Sequence, residues 1–183
     1  MDNPPAKFEA IDSAGLSVTV QSGLQIASLR YFDRAGSFAG AVCEAVERPL
    51  PEPLRAIEAR HSASGSQLAL AWRSPTETVL LCESRVAFAD LAQRLAGRTD
   101  GCMVDQTGGV CVIRLQGPRV REFLLRLGAQ SAVPRLGDAL SGRCAEVHVL
   151  TACIHEGAFL SLVERVYAAH LLEWIRVTVA DFQ

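Results

Sequence analysis

Apolar positions along this chain come in short bursts whose spacing switches between every second residue and every third or fourth. Residues 16–20 (LSVTV) and 24–31 (LQIASLRY) read as strands parted by a turn at Ser22-Gly23. Residues 36–46 are alanine-rich and place Phe38, Val42 and Val46 on one helical face. The prolines of residues 48–53 (RPLPEP) end that helix in a loop or extended connector, and 62–66 is a loop of small residues. Residues 68–72 and 78–82 read as a hairpin around Ser74-Pro75. Ser84 caps a helix whose buried stripe is Phe88, Leu91, Ala92 and Leu95, and Gly97 closes it.

Residues 104–128 (VDQTGGVCVIRLQGPRVREFLLRLG) carry the most information. A strand over 102–105 runs into a Thr-Gly-Gly turn. A second strand follows, with Val110, Val112 and Arg114 on one side and Cys111, Ile113 and Leu115 on the other. Gly117 allows a tight exit and Pro118 presets φ for a helix burying Val120, Phe123, Leu124 and Leu127. Arg119, Arg121, Glu122 and Arg126 stay wet, and Gly128 stops the helix. Residues 131–141 read as irregular; 143–150, 151–155 and 158–163 supply strand material around Glu156-Gly157. A last helix over 165–179 is expected to bury Val166, Tyr167, Leu171, Trp174 and Ile175.

The order is strand-helix-strand-strand-helix-strand, then a partial second pass of the same order. Paired split βαβ (ferredoxin-like) units with largely antiparallel sheets explain it, an α+β fold. No internal sequence repeat is needed for this, and none stands out. Residues 1–15, polar and broken by Pro4 and Pro5, are expected to be a flexible lead-in, and 16–183 a single domain.

Composition narrows the function by exclusion. A net charge of −2 leaves no broad basic surface for nucleic acid. No run of eighteen apolar residues occurs, which argues against a membrane span. The start has no basic and apolar leader, so secretion is not expected. The six cysteines form no Cys-x-x-Cys pair and read as buried reduced thiols of a cytoplasmic protein. His148 and His155 flank Cys153 on strand and turn material, a poor zinc arrangement.

No catalytic, cofactor-binding or metal-binding residues are expected in this chain. The glycines at 101, 108 and 109 do not make a phosphate-cradling loop, no Gly-x-Ser-x-Gly elbow occurs, and the four histidines are scattered. Asp105 is the best polar candidate, as an acid, a base or an amine ligand; its plainer role is an Asx-type cap on the following turn. Arg114 suits an anionic ligand or, more simply, a carboxylate on a neighbouring strand. Arg119, Arg121 and Arg126 suit a solvated helix face, and Trp72 and Trp174 suit core or interface anchors.

Several motifs run in order along the chain. They are Leu24 to Arg30 with the alanine-rich helix, Pro49-Leu50-Pro51, and the stretch from Leu70-Ala71-Trp72 to Leu80-Leu81. Val104-Asp105-Gln106-Thr107, Leu115 to Leu124 with its Gly117-Pro118, and Gly142-Arg143-Cys144-Ala145 follow. Val163-Glu164-Arg165-Val166-Tyr167-Ala168 with Leu171, Trp174 and Ile175 closes the series. Over residues 17–182 this order resembles the gamma subunit of heterotetrameric sarcosine oxidase, a family related to the folate-binding aminomethyltransferase domain. The family pattern has a glycine, an acidic residue and a tryptophan where this chain has Ser74, Thr76 and Thr78.

The resemblance implies a fold like part of a folate-binding aminomethyltransferase domain. It implies a non-catalytic subunit partnered by alpha, beta and delta subunits in an enzyme that oxidatively demethylates sarcosine to glycine. That enzyme gives hydrogen peroxide and formaldehyde or methylene-tetrahydrofolate. FAD, FMN, NAD, tetrahydrofolate and zinc are expected in the other subunits and no cofactor in this one. The alternative is a stand-alone folate-binding or aminomethyltransferase-like protein. A small-molecule sensor with paired split βαβ units is a third class, on fold alone.

Overall fold

The computed structural model describes residues 8–13, 15–129 and 133–181. The chain divides into two compact units, one from residues up to Ser22 and from Gly109 onward, the other from Gly23–Gly108. It enters the first unit through β1 (Ile11–Ser13) and β2 (Leu16–Val20). The second unit holds β3 (Gln25–Tyr31), α1 (Ser37–Val46), β4 (Ala56–Arg60), β5 (Gln67–Ser74), β6 (Glu77–Cys82), α2 (Arg85–Leu95) and β7 (Gly101–Asp105). The chain returns to the first unit for β8 (Val110–Gln116), α3 (Val120–Arg126), β9 (Ala139–Cys144), β10 (Val147–His155), β11 (Ala158–Glu164) and α4 (Arg165–Ala180).

In the second unit the sheet order is β4-β5-β6-β3-β7, with every pairing antiparallel. Setting β4 aside leaves the split βαβ arrangement expected from the sequence. Ala27, Leu29 and Tyr31 of β3 pack with Leu70, Leu80, and the α1 and α2 stripes of Phe38, Val42, Val46, Phe88, Leu91 and Leu95. Ser84 caps α2 as expected, its Oγ accepting from the Ala87 N–H at 3.2 Å. Ala87, not Ala92, completes the buried stripe of that helix.

The first unit repeats the plan with one exchange. Its order is β1-β2-β8-β11-β10-β9. Strand β8 takes the place of β3, α3 of α1, β11 of β6, and α4 of α2. The place of β7 goes to β2, from the N-terminal end of the chain. The second pass is partial in sequence because its last strand is supplied from the start of the chain. Cys111, Ile113 and Leu115 of β8 join Val120, Phe123, Leu124, Phe159, Leu171 and Ile175 in this core. The Gly-Pro corner is tight: Gly117 has φ +124, and a Cβ there would collide with the Gly15 carbonyl. Arg119 N–H donates to that carbonyl at 3.1 Å.

Five features of the structure depart from the sequence expectations or are absent from them. Strands β2 and β3, neighbours along the chain, lie in different sheets and do not pair. Ile11–Ser13, placed in the lead-in by sequence, pairs with β2, while residues 1–7 and 14 lie outside the described residues. Ala56–Arg60 is a strand; its short, half-charged AIEAR run lacks an apolar signal. Residues 143–150 are not one strand, because Ala145 and Glu146 turn the chain between β9 and β10 with φ +48 and +64. A two-residue turn with both φ values positive ordinarily recruits Asn or Gly, so nothing in Ala-Glu announces it. Tertiary bonds hold it: Ala145 N–H donates to the Leu127 carbonyl at 2.7 Å, and His170 Nε2 sits 3.1 Å from the Ala145 carbonyl.

The fifth departure is in α4, where Leu171 and Ile175 are buried as expected but the stripe is centred elsewhere. Its buried stripe is Ala168, Leu171, Leu172, Ile175 and Val179. Val166, Tyr167 and Trp174 are 78%, 51% and 50% exposed. Apolar residues occur on both sides of this helix, so periodicity admits two phases. The helix starts directly from β11 with no loop, and the Arg165 N–H donates to the Gly109 carbonyl at 2.8 Å, which fixes its rotation.

Candidate functional site

Asp105 ends β7 and its Oδ1 accepts the Thr107 N–H at 2.8 Å. Thr107 Oγ1 in turn accepts the Ile26 N–H at 3.0 Å, and Gln106 N–H donates to the Ile26 carbonyl at 2.8 Å. The Val-Asp-x-Thr segment is therefore a clasp that ties the end of β7 to the start of β3. The Asx-type reading of Asp105 holds.

Arg114 sits mid-strand in β8, opposite Thr19 on β2 and Leu160 on β11. Among the described residues no neighbouring-strand carboxylate forms an ion pair with it. Its Nε is buried without a hydrogen-bond partner. Arg119 and Arg126 lie on the exposed side of α3, each 3.2 Å from Glu122. Hydrogen bonding from Arg119 holds the Glu122 carboxyl below its ordinary pKa. Arg121 is tied down: its guanidinium donates to the Pro134 carbonyl at 2.8 Å and lies 5.9 Å from the Phe159 ring centre. Trp72 is half-buried in β5, with its Nε1 buried and unpartnered. Trp174 is outside the core, 6.4 Å ring to ring from His170.

The Cys153 thiol donates to the His155 carbonyl at 3.2 Å, and His148 stands opposite Arg143. Among the described residues no three His, Cys, Asp or Glu side chains gather as metal ligands. All six cysteines are free. Burial raises the thiol pKa of Cys82, Cys111 and Cys153, and pushes Cys144 up to about 11.

Two groupings were not legible in the sequence. His61, 2% exposed after β4, has Nδ1 2.9 Å from Ser64 Oγ and Nε2 2.8 Å from Asp90 Oδ2. Arg94 Nε reaches the same carboxylate oxygen at 2.6 Å, and its guanidinium donates to Ser62 Oγ at 3.0 Å. Serine, imidazole and carboxylate stand in a row, but Ser64 Oγ is also 2.7 Å from Ser66 Oγ, and the Gly65 and Ser66 N–H groups are bonded within the loop. The row links the 62–66 loop to α2 and works as a staple between them. The only forewarning in sequence was a histidine followed by three serines.

The second grouping is a half-open cleft of about 580 Å³ at the start of β7, lined by Arg30, Phe32, Glu77, Thr99, Gly101 and Cys102 among others. Glu77 there accepts from Ser28 Oγ at 2.5 Å and lies 3.5 Å from Arg73. Arg30 forms no ion pair among the described residues.

No family model and no curated protein matches this chain. Solved structures do. A chain of the heterotetrameric sarcosine oxidase from Corynebacterium sp. U-96, in complex with pyrrole 2-carboxylate, matches with a TM-score of 0.75 at 19% identity. The match covers 91% of this chain and 85% of that one. The fold is shared with a sarcosine oxidase chain. Glycine cleavage system aminomethyltransferase T from Bartonella henselae matches with a TM-score of 0.69 at 15% identity, over 88% of this chain and 45% of that one. The α+β architecture with two antiparallel sheets is as the family resemblance implied, and this chain spans less than half of the aminomethyltransferase. Within this fold the Val-Asp-x-Thr and Gly-Pro motifs act as packing devices, namely the Asp105–Thr107 clasp and the Gly117 corner. No helix among the described residues is long and apolar enough to cross a membrane.

Proposed function

We propose that this chain is a non-catalytic, gamma-type subunit of a heterotetrameric sarcosine oxidase or of a related N-methyl amino acid oxidase. The observation that carries this reading is the two-sided match in fold, 91% of this chain against 85% of a chain of the Corynebacterium enzyme. The order of motifs over residues 17–182 supports it independently. Its partners would be the alpha, beta and delta subunits, which would hold FAD, FMN, NAD, tetrahydrofolate and zinc. Residues 16–183 would serve there as one domain of a cytoplasmic enzyme, a setting that suits six free thiols. The assembled enzyme would oxidise sarcosine to glycine and reduce oxygen to hydrogen peroxide. The methyl carbon would leave as formaldehyde or as methylene-tetrahydrofolate. The polar groups of this chain favour a supporting role, since Asp105 is held by Thr107 and His61 is held between Ser64 and Asp90.

The test is co-expression with the neighbouring open reading frames and purification through a tag on this chain. A yellow complex that makes peroxide with sarcosine is expected. A colourless chain purified alone would sink the reading. The second reading, a stand-alone folate-binding protein, is favoured by the aminomethyltransferase match. Calorimetric titration of the isolated chain with tetrahydrofolate decides it, and tight binding by a monomer would move the function there.

A further inference from the structure

We propose that the outer edge of β7 accepts an extended segment of a partner polypeptide as an added antiparallel strand. This rests on the subunit reading above. The pattern of backbone bonds defines that edge. Phe32 N–H donates to the Asp100 carbonyl at 3.1 Å and Gln106 N–H to the Ile26 carbonyl at 2.8 Å. Between them Cys102 faces Arg30 and Val104 faces Ser28 across the β3–β7 ladder. Antiparallel alternation turns the polar backbone of Cys102 and Val104 toward β3, and that of Gly101, Met103 and Asp105 outward. No described residue pairs with that outer side.

The other sheet edges are guarded. Strand β4 carries Glu58 and Arg60, β9 carries Gly142 and Arg143, and β1 is three residues long with Asp12 in the middle. Strand β7 is GCMVD, five residues without lysine, arginine or proline, and its one charge is turned into the bond with Thr107. An unguarded edge of this kind is a ready template for pairing with another chain. The chain itself supplies the comparison. In the first unit the place of β7 is taken by β2, and β1 lies antiparallel along the outer side of β2.

The cleft at the Gly101 end states what the added strand must carry. Phe32 is 85% exposed there and offers an uncovered ring. Arg30 lacks an ion pair among the described residues, whereas Glu77 is engaged by Ser28 and Arg73. The matching segment is extended and uncharged at its centre. It bears an apolar side chain for Phe32 and a carboxylate for Arg30. A second copy of this chain fits less well, because the carboxylate that β7 itself carries, Asp105, is held in its own turn.

The experiment compares amide hydrogen exchange in the lone chain and in the co-expressed complex. The Gly101, Met103 and Asp105 amides should exchange at least tenfold more slowly in the complex. Met103→Pro removes one outward donor and no β3 bond, a change edge strands tolerate; it should keep the native circular dichroism and lower recovery of the complex at least tenfold. Arg30→Glu should weaken assembly in the same direction, and carries the test if Met103→Pro does not fold. A complex that forms with these amides unprotected, or that folded Met103→Pro enters as readily as wild type, overturns the proposal and leaves the subunit reading standing. Protection of these amides in a dimer of the lone chain makes a second copy the occupant and overturns it too. Failure of the wild-type chain to form any complex removes both.

Discussion

His61 and Asp90 meet at 2.8 Å, Nε2 to Oδ2, and fasten the loop after β4 to helix α2. The other ring nitrogen is 2.9 Å from Ser64 Oγ, so a buried imidazole has both nitrogens engaged. Replacing His61 with alanine leaves a cavity and strips a partner from the loop and from Asp90. The expected loss is roughly 2–3 kcal/mol of unfolding free energy. Ser64→Ala removes the Oγ bonds to His61 and Ser66 but leaves no large cavity, so it should cost less, roughly 1–2 kcal/mol. Urea unfolding of both variants checks the pair of values. A Ser64 side chain that reacts with a fluorophosphonate would contradict the staple and make the row a nucleophile with its base.

Gly117 makes a sharper stability test. Its φ of +124 is open to glycine and strained for any residue with a Cβ, and that Cβ would meet the Gly15 carbonyl. Gly117→Ala should cost roughly 2–4 kcal/mol. Gly23→Ala also sits at positive φ but has open space around it, so it should cost less. Equal losses at the two sites would mean that backbone conformation alone, and not the approach of Gly15, governs the corner.

What could be read from the sequence follows from which forces act locally. The large apolar residues of the α1, α2 and α3 stripes are legible in the sequence, and only the small Ala92 is exchanged for Ala87. The stripe of α4 was misread because Val166, Tyr167 and Trp174 make a second apolar side, and the junction with β11 chooses between them. Asp105 was read correctly because an Asx turn is closed by the next two residues. The Ala145-Glu146 turn, the unpartnered Nε of Arg114, and the meeting of His61 with Asp90 depend on groups distant in sequence, which periodicity does not report.

Asp100 predicts an acid dependence. Its carboxylate accepts the Phe38 N–H at 3.0 Å and the Ser37 hydroxyl at 2.9 Å, at the start of α1. The Phe38 N–H bond, more than any other contact, lowers its pKa. A carboxyl with a lower folded than unfolded pKa contributes stability above the unfolded value. That contribution is lost as pH falls from about 4 through the folded value. Asp100→Asn keeps an acceptor but cannot ionise, so it should flatten the fall in stability below about pH 4. The slope should not vanish, since Glu122 and Glu173 are shifted in the same direction by their arginines. An unchanged acid profile in Asp100→Asn would remove Asp100 from this account.

Thiol reactivity should sort the cysteines by burial. Cys102 is the exposed one, Cys43 is half-buried, and Cys82, Cys111, Cys144 and Cys153 are buried. Burial also holds Cys144 near pKa 11, so little of it is thiolate at neutral pH. An aromatic disulfide reagent at about pH 8 should show one fast phase that Cys102→Ser abolishes. The buried four should react only on unfolding. Fast loss of several thiols from the native chain would show the cores opening far more readily than their packing indicates.

Trp174 reports the phase of α4 directly. It is half-exposed beside His170 and outside the buried stripe, whereas Trp72 is half-buried in β5. With Trp72 changed to phenylalanine, the remaining emission should lie to the red and be readily quenched by acrylamide. Trp174→Ala should change unfolding free energy by no more than about 0.5 kcal/mol. Leu171→Ala, one turn earlier on the buried side, should cost roughly 2–5 kcal/mol. The two substitutions separate the sides of the helix because both remove a large apolar side chain and differ in what surrounds it. A loss at Trp174 as large as that at Leu171 would put Trp174 in the core beside it, as periodicity alone expects.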